Sequence, residues 1–501
     1  MSQHYDVAVI GTQLSGIIAA ALLAKRGRRV LLIDHGESAT TYRRGGRNLP
    51  LLPTLLPTLD QAPHVQRVHD ELGLGPELRA LARPSEAAFQ TILPRHRLDV
   101  TSAPDAILAE LKLEFPDVAD AIGHFFTRLV AIDATITDYL SANPPLPPST
   151  WLQRLRGQIS RRQVMHLDAP FETEVLLEGI PEDHPVRTVL LGPLAFFSHL
   201  WPDQPSTFQA ARLIARYFRG VSTVQDGAAG ITRLLLAAAE RSGVSVRPGA
   251  VVRKISSRGR RLHELVIEDE RLSHSADIFI SNTLGPFYEL LEGRDRHPRF
   301  VAEEQAVAPS GGLLVLNCVV DRAVVPEAMA AAAFLLNGRR QTRGDEPADP
   351  PLFVQRAAPP PTGPGSRSRD PEIVVLSVAC PVRIADIAHS PERINAVKTQ
   401  MLGRLRRVVP FLDSYLQDAS LTIDTAGWEL ETEGGKRRVE PWRLHPIYEP
   451  HQRPLLGVAA RSLRTYYRNL IHCGRDVIPG LGLEGEYITG YQAADLVYAR
   501  R

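Results

Sequence analysis

Two glycines five residues apart, Gly11 and Gly16, and an acid at Asp34 are the first residues of this 501-residue chain whose spacing suits chemistry. In a dinucleotide site the first glycine permits a tight strand-to-helix turn, and the last lets helix and strand pack closely. An acid about 20 residues further on holds a ribose hydroxyl. Gly11-Thr12-Gln13-Leu14-Ser15-Gly16 is therefore a candidate pyrophosphate loop. A helix starting at about Ser15 would aim its free amides and positive dipole end at phosphate oxygens. Gln13 stands where a second glycine is usual, so its side chain enters the approach to the pyrophosphate. Asp34, with His35 after it, ends the next strand, and an acid there disfavours a 2′-phosphate, which argues against NADP.

A second glycine-rich group closes the chain: Asn469-Leu470-Ile471-His472-Cys473-Gly474-Arg475-Asp476, then Pro479-Gly480-Leu481-Gly482-Leu483-Glu484-Gly485 and Gly490. Between the two ends lie Arg43-Arg44-Gly45-Gly46-Arg47, Pro53-Thr54-Leu55-Leu56 and the turn Asp226-Gly227-Ala228-Ala229-Gly230, which precedes a strand containing Val251. This set resembles the FAD-dependent phytoene desaturase and carotenoid isomerase-like flavoproteins of the amine oxidase superfamily. The matching segments touch the start, the middle and the end of the chain.

The resemblance implies FAD as cofactor. It implies that Gly46 and Arg47 approach the flavin nucleotide, that Val251 lies on the adenine side, and that Gly474 meets the ribityl region. Arg475 and Asp476 would meet polar groups of the cofactor, the acid standing one position later than is usual. Gly482, Leu483 and Glu484 would contact the cofactor, and the helix after Gly485 would point its N-terminus at the isoalloxazine and stabilise its anionic reduced form. It further implies hydride removal from, or isomerisation of, an apolar unsaturated substrate such as a carotenoid precursor. Two other readings stay open: a flavin amine oxidase, and a non-catalytic isoprenoid carrier like the Rab GDP-dissociation inhibitors.

No catalytic acid or base is assigned, because flavin chemistry requires none. Phe196, Phe197, Trp201, Trp428, Trp442 and Tyr448 are candidates for lining an apolar cavity, against the plainer reading of core aromatics. His445 and Glu449 are candidates for proton exchange, and Cys473 for redox chemistry, although a small buried strand residue accounts for that cysteine as well. Arg154, Arg156, Arg161 and Arg162 beside Trp151, Leu152, Leu155 and Ile159 make a surface that would rest on anionic lipid, giving peripheral membrane contact. A solvated helix face is the competing reading.

The elements that must position these residues follow from periodicity. Tyr5 to Ile10 reads as a buried strand, Ser15 to Lys25 as a helix ended by Gly27, and Arg29 to Ile33 as the next strand. Residues from about 104 to 142 carry helical spacing, and Asn143 to Pro148 is a proline-rich break. A helix over Ile231 to Arg241 and strands at Gly243 to Val246, Val251 to Ile255, Leu265 to Glu268 and Ala276 to Ser281 read as a return to the nucleotide domain. Leu313 to Val320 and Ile373 to Cys380 are further strands, separated by a segment, Gly338 to Pro371, most of which its composition predicts to be a mobile surface loop.

The expected architecture is α/β: a Rossmann-type FAD-binding domain with a central parallel sheet, and an inserted α+β substrate domain. The nucleotide domain is placed at 1–100, 220–290 and 455–501, the substrate domain at 101–219 and 291–454.

Composition narrows the partners. Fifty-eight Lys and Arg against 56 Asp and Glu give a net charge of +2, without the basic excess of a nucleic-acid binder. Three distant cysteines make neither a disulfide framework nor a thiolate metal site, and the histidines show no ligand spacing, so no metal is expected. No signal segment opens the chain and no apolar run reaches about 20 residues, so a cytoplasmic protein is expected. The sequence leaves the oligomeric state unread.

Overall fold

The computed structural model describes residues 3–36, 39–57, 62–84, 87–101, 103–148, 152–153, 162–168, 176–201, 206–224, 227–268, 270, 272–337, 350–357, 372–388, 390–424, 430–431, 437–438, 444–450 and 455–499. Strand β1 (Gln3–Ile10), helix α1 (Leu14–Lys25) and strand β2 (Val30–Ile33) form the opening βαβ unit. The run Val7-Ala8-Val9-Ile10 is buried throughout, the unbroken apolar pattern of a parallel strand covered on both faces. β1 pairs in parallel with β2 and with Ser273–Ser281; β2 pairs in parallel with Ser245–Arg247, and Ser273–Ser281 with Leu470–His472. Arg261–Ile267 and Val252–Arg258 extend the sheet in antiparallel sense.

α1 is apolar on nearly every side because it lies between layers. It packs against the closing helix Gly482–Tyr498 and against Gly227–Arg241. A Cβ on Gly490 would lie 2.7 Å from the Ser15 carbonyl, so the two helices approach closely only because that residue is glycine.

The second sheet runs Leu416–Leu421, Pro309–Asp321, Ile373–Arg383, Leu352–Ala357, Ala332–Leu335, Ala87–Ile92 and Arg97–Thr101, with His445–Tyr448 joined to the first part of Pro309–Asp321. Its pairing is antiparallel except between Ala332–Leu335 and Ala87–Ile92. The helix Pro391–Val408 contributes Met401 and Leu405 to the core cluster that also holds Leu314, Leu316, Leu376, Val378 and Cys380.

One expected boundary is corrected here. Residues 87–101 belong to the second sheet, so the first nucleotide segment ends before position 100. The segment 338–371 contains the strand Leu352–Ala357, whose first three residues are buried; the rest of that segment, apart from Pro350 and Pro351, lies outside the described residues. The helical stretch expected from 104 to 142 is present as Pro104–Glu114 and Ala119–Ser141.

Candidate dinucleotide site

Four parallel strands end level with one another. Ile10 pairs with Ile33 and with Ser281, and Ser281 pairs with His472. The loops leaving these carboxyl ends carry Gly11 to Gly16, Asp34 and His35, Asn282, and Cys473 to Asp476. In open α/β sheets ligands bind in this crevice. Gly11 has φ +99°, a left-handed conformation that favours glycine, and any Cβ there would strike the Asn282 carbonyl.

Asn282 is the hub. Its Oδ1 accepts the Gly16 amide at 2.8 Å, and its Nδ2 donates to the Cys473 carbonyl at 2.8 Å. Its own amide donates to the Ile10 carbonyl at 2.8 Å. The pyrophosphate-type loop and the closing glycine segment are thus held by one side chain. Gly474, with φ +138°, donates its amide to Thr489 Oγ1 at 3.2 Å, and Ser15 Oγ lies 3.0 Å from the same hydroxyl.

At the start of α1, Gln13 is extended (φ −69°, ψ 164°) and its side chain does not cap the helix. Gly16 and Ile17 return their amides to the Gln13 carbonyl, while the amides of Leu14 and Ser15 have no acceptor among the described residues. Those two donors are the free N–H groups that the first turn of a helix leaves for an anion.

Asp34 is buried at the end of β2. It accepts the Thr12 hydroxyl at 2.5 Å and the Gly249 amide at 3.0 Å. His35 Nδ1 accepts the Val252 amide at 3.1 Å, so its ring secures the strand that follows Val251. Burial lowers the His35 imidazole pKa, against the opposing charge of Asp34. Val251 faces Gly36, where a Cβ would lie 3.6 Å from Val251 Cγ2.

The acids of the closing segment are committed to protein partners. Asp476 is paired with Arg461 at 2.7 Å, and Arg461 also pairs with Glu304. Burial works against ionisation of Glu304, yet Arg461 and His472 hold its carboxyl well below the usual range. Arg475 Nε donates to Glu486 at 3.1 Å. Glu484 accepts two bonds from Arg212, at 2.9 and 2.6 Å, from the helix Thr207–Phe218. Its side chain is therefore turned toward that helix, and only its backbone remains for a cofactor. Burial opposes this charge too, but Arg212 and Arg216 outweigh it and hold the Glu484 carboxyl down to about 2.

Among the described residues, no hydrogen bond or ion pair ties Gly46 or Arg47 to the glycine loops. They sit on the hairpin of β3 (Thr41–Arg44) and β4 (Arg47–Pro50), where Arg47 donates to Gln417 at 3.1 Å and Arg44 pairs with Asp418 at 2.8 Å. Leu416–Leu421 flanks the far end of Pro309–Asp321, whereas His445–Tyr448 flanks its beginning. The Pro53 to Leu56 segment is tied to the second sheet by Thr54 and Gln355, whose amides exchange bonds of 2.8 and 2.6 Å. Asp226, which opens the middle glycine turn, lies outside the described residues.

The apolar candidates divide. Phe196 and Phe197 meet Phe334, with ring centroids 5.5 and 6.0 Å apart, and Phe197 stacks on Tyr217 at 5.3 Å. The Phe197 carbonyl lies where a Cβ on Gly482 would fall, so this aromatic cluster adjoins the start of the closing helix. Trp201 bonds Ser310 and stacks under the Arg383 guanidinium at 4.7 Å, and Arg383 pairs with Glu449 at 3.2 Å. Tyr448 is buried with Leu200 and Val307. Trp428, Trp442, Trp151, Arg154, Leu155, Arg156, Ile159 and Arg161 lie outside the described residues; Leu152 and Arg162 are exposed. Cys318, Cys380 and Cys473 are buried free thiols, and burial pushes the Cys473 pKa well up, which keeps it protonated and unreactive.

Sequence reasoning passed over Asn282, Thr12, Arg212, His199 and Glu486. Only Asn282 and Glu486 carried a usable signal, as a polar residue ending a parallel strand and an acid within the closing glycine run. Among the described residues no group of metal-ligating side chains occurs, and no helix is long and apolar enough to cross a membrane.

Residues 9–72 match the family described as an NAD(P)-binding Rossmann-like domain. Among curated protein sequences none matches this chain. Several solved structures share its fold along the whole length. Putrescine oxidase bound to putrescine is 16% identical with a TM-score of 0.56, covering 100% of both chains. Cyclohexylamine oxidase from Brevibacterium oxydans is 15% identical with a TM-score of 0.55, covering 99% of both. An oxidoreductase from Methanosarcina mazei is 15% identical with a TM-score of 0.57, covering 98% of this chain and 99% of the other. At these identities the likeness is one of fold.

Proposed function

We propose that this chain is an FAD-dependent oxidoreductase that removes hydride from an apolar unsaturated substrate of the carotenoid or isoprenoid kind. The observation that carries the reading is the meeting of segments from both chain ends at the level carboxyl ends of four parallel strands. The residues fit the cofactor: the Leu14 and Ser15 amides lack an acceptor among the described residues, and the first turn of α1 carries no acidic residue. Those amides would hold the pyrophosphate, Asp34 the ribose hydroxyl beside Thr12, and Val251 the adenine side. The Gly474 loop and the backbone of Gly482 to Glu484 would meet the ring end. When bound, FAD supplies the two-electron acceptor.

The chain's own part is to bind and to exclude water. The aromatic cluster of Phe196, Phe197, Phe334 and Tyr217 beside Gly482 suits an apolar substrate. Two of the similar structures are amine oxidases. Putrescine and cyclohexylamine are therefore the control substrates.

The test begins with the visible spectrum and extracted cofactor of the purified protein. A yellow protein releasing FAD, bleached anaerobically by polyenes and not by putrescine or cyclohexylamine, is the expected result. A colourless protein that takes up no added FAD would overturn it in favour of a non-catalytic isoprenoid carrier. Bleaching by amines alone would move the assignment to amine oxidation.

A further inference from the structure

At the first turns of the closing helix lies a group of titratable side chains that reaches beyond the glycine motifs. Glu486 comes from that helix, Arg475 from the loop before it, His199 from the segment after Leu194–Phe197, and His445 from the second sheet. Arg475 joins Glu486 at 3.1 Å through Nε and His445 Nδ1 at 3.2 Å through Nη1. His199 Nε2 is 3.6 Å from Glu486 Oε1, and the two imidazole centroids are 4.8 Å apart. Tyr448 backs the group, its amide bonded to the His199 carbonyl at 2.8 Å. The cluster therefore spans the seam between the nucleotide sheet and the substrate sheet.

His199 is 5% exposed, yet neither of its ring nitrogens has a hydrogen-bond partner among the described residues, and Glu486 Oε2 has none either. Buried polar atoms are ordinarily satisfied, so three unsatisfied ones in a single cluster beside a ligand crevice point to a group that arrives from outside the chain. With an Nε2 proton turned toward Glu486, the Nδ1 lone pair is the free acceptor.

We propose that His199 is the proton acceptor of the oxidation, taking the proton on Nδ1, and that Glu486 is the charge that steadies the resulting imidazolium. The proposal rests on the flavin reading above. One substrate C–H bond breaks with its electron pair leaving as hydride to FAD. The neighbouring C–H bond breaks with its pair forming the new double bond, and its proton bonds to His199. The substrate loses two electrons and two hydrogens, FAD gains the hydride, and dioxygen or a quinone takes the electrons in the second half-reaction while the proton leaves to water.

The groups facing His199 suit this cycle. Burial keeps the imidazole pKa low, against Glu486, so the resting ring is neutral and its lone pair is open to a proton. Burial works against ionisation of Glu486 as well, but Arg475 and His199 outweigh it and keep a counter-charge in place. His445 is held neutral by burial and Arg475, and the Tyr448 hydroxyl is held neutral by burial.

The test uses the full-length, FAD-loaded protein and needs no substrate. The dependence of the flavin midpoint potential on pH counts protons taken up per two electrons. Wild type is expected to show the two-proton slope around neutrality and His199→Gln half of it; an unchanged slope in the variant would overturn the proposal. Histidine 15N NMR of wild type, oxidised and then reduced with dithionite, covers the case in which the variant does not fold. His199 should pass from neutral to protonated, and a ring that stays neutral on reduction overturns the assignment. Glu486→Gln should move the slope's breakpoint to lower pH, and an unmoved breakpoint would remove Glu486 from the proposal. A protein that binds no FAD fails at an earlier stage, which is the failure of the flavin reading.

Discussion

The side-chain oxygen of Asn282 accepts the backbone N–H of Gly16 at 2.8 Å across 266 residues of sequence, and the same amide group donates to Cys473. Asn282→Leu leaves one buried amide and one buried carbonyl without partners. At about 1–3 kcal/mol for each unsatisfied group, the loss is expected at about 2–6 kcal/mol. Asn282→Asp keeps the acceptor for Gly16 but sets a buried carboxylate oxygen against the Cys473 carbonyl, so it should not restore wild-type stability. Thermal unfolding measures the stability, and flavin retained through dialysis measures the site. Retention unchanged in Asn282→Leu would show that the two loops do not depend on each other.

The local part of this fold was legible in the sequence. An unbroken apolar run, a glycine turn and an apolar helix give β1, α1 and β2 within a residue or two of their observed ends, because each is specified by neighbours in the chain. The partners of Asp34, Glu484 and Asp476 were not legible. A carboxylate after a strand reads as a ribose ligand whether or not Thr12 and Gly249 already hold it, and nothing near Glu484 announces Arg212, 272 residues away. The same holds for residues 87–101. No strand is assigned to them from the sequence, and only the pairing with Ala332–Leu335 places them in the second sheet.

Gln13 stands beside the two free amides of α1 in an extended conformation that any residue adopts, so the backbone does not require glycine there. Its bulk at the phosphate approach is the expected cost. Gln13→Gly should leave the fold intact and tighten FAD binding about tenfold, or about 1.4 kcal/mol. Flavin fluorescence titration of the apoprotein measures this. Weaker binding in the variant would instead make the Gln13 side chain a ligand of the pyrophosphate.

Arg212 and Glu484 test whether the closing helix is positioned by a buried charge pair. Glu484→Gln leaves the Arg212 guanidinium buried with Asp133 alone, 2.7 Å away, and Arg212→Met leaves the Glu484 carboxylate without its main partner. Each single change should cost about 3–5 kcal/mol, and the double change distinctly less than the sum. Glu484 is held down to about 2, below its ordinary 4.5, so the pair's stabilisation is fully present above pH 4.5 and is lost as the pH falls toward 2. Stability measured by urea unfolding should therefore rise with pH across that window in wild type. It should rise less steeply in Glu484→Gln, with a residual slope from Glu304, which Arg461 and His472 also hold down. If Glu484→Gln instead kept its stability and lost flavin, the carboxylate would be a cofactor contact after all, because a positioning role moves both together.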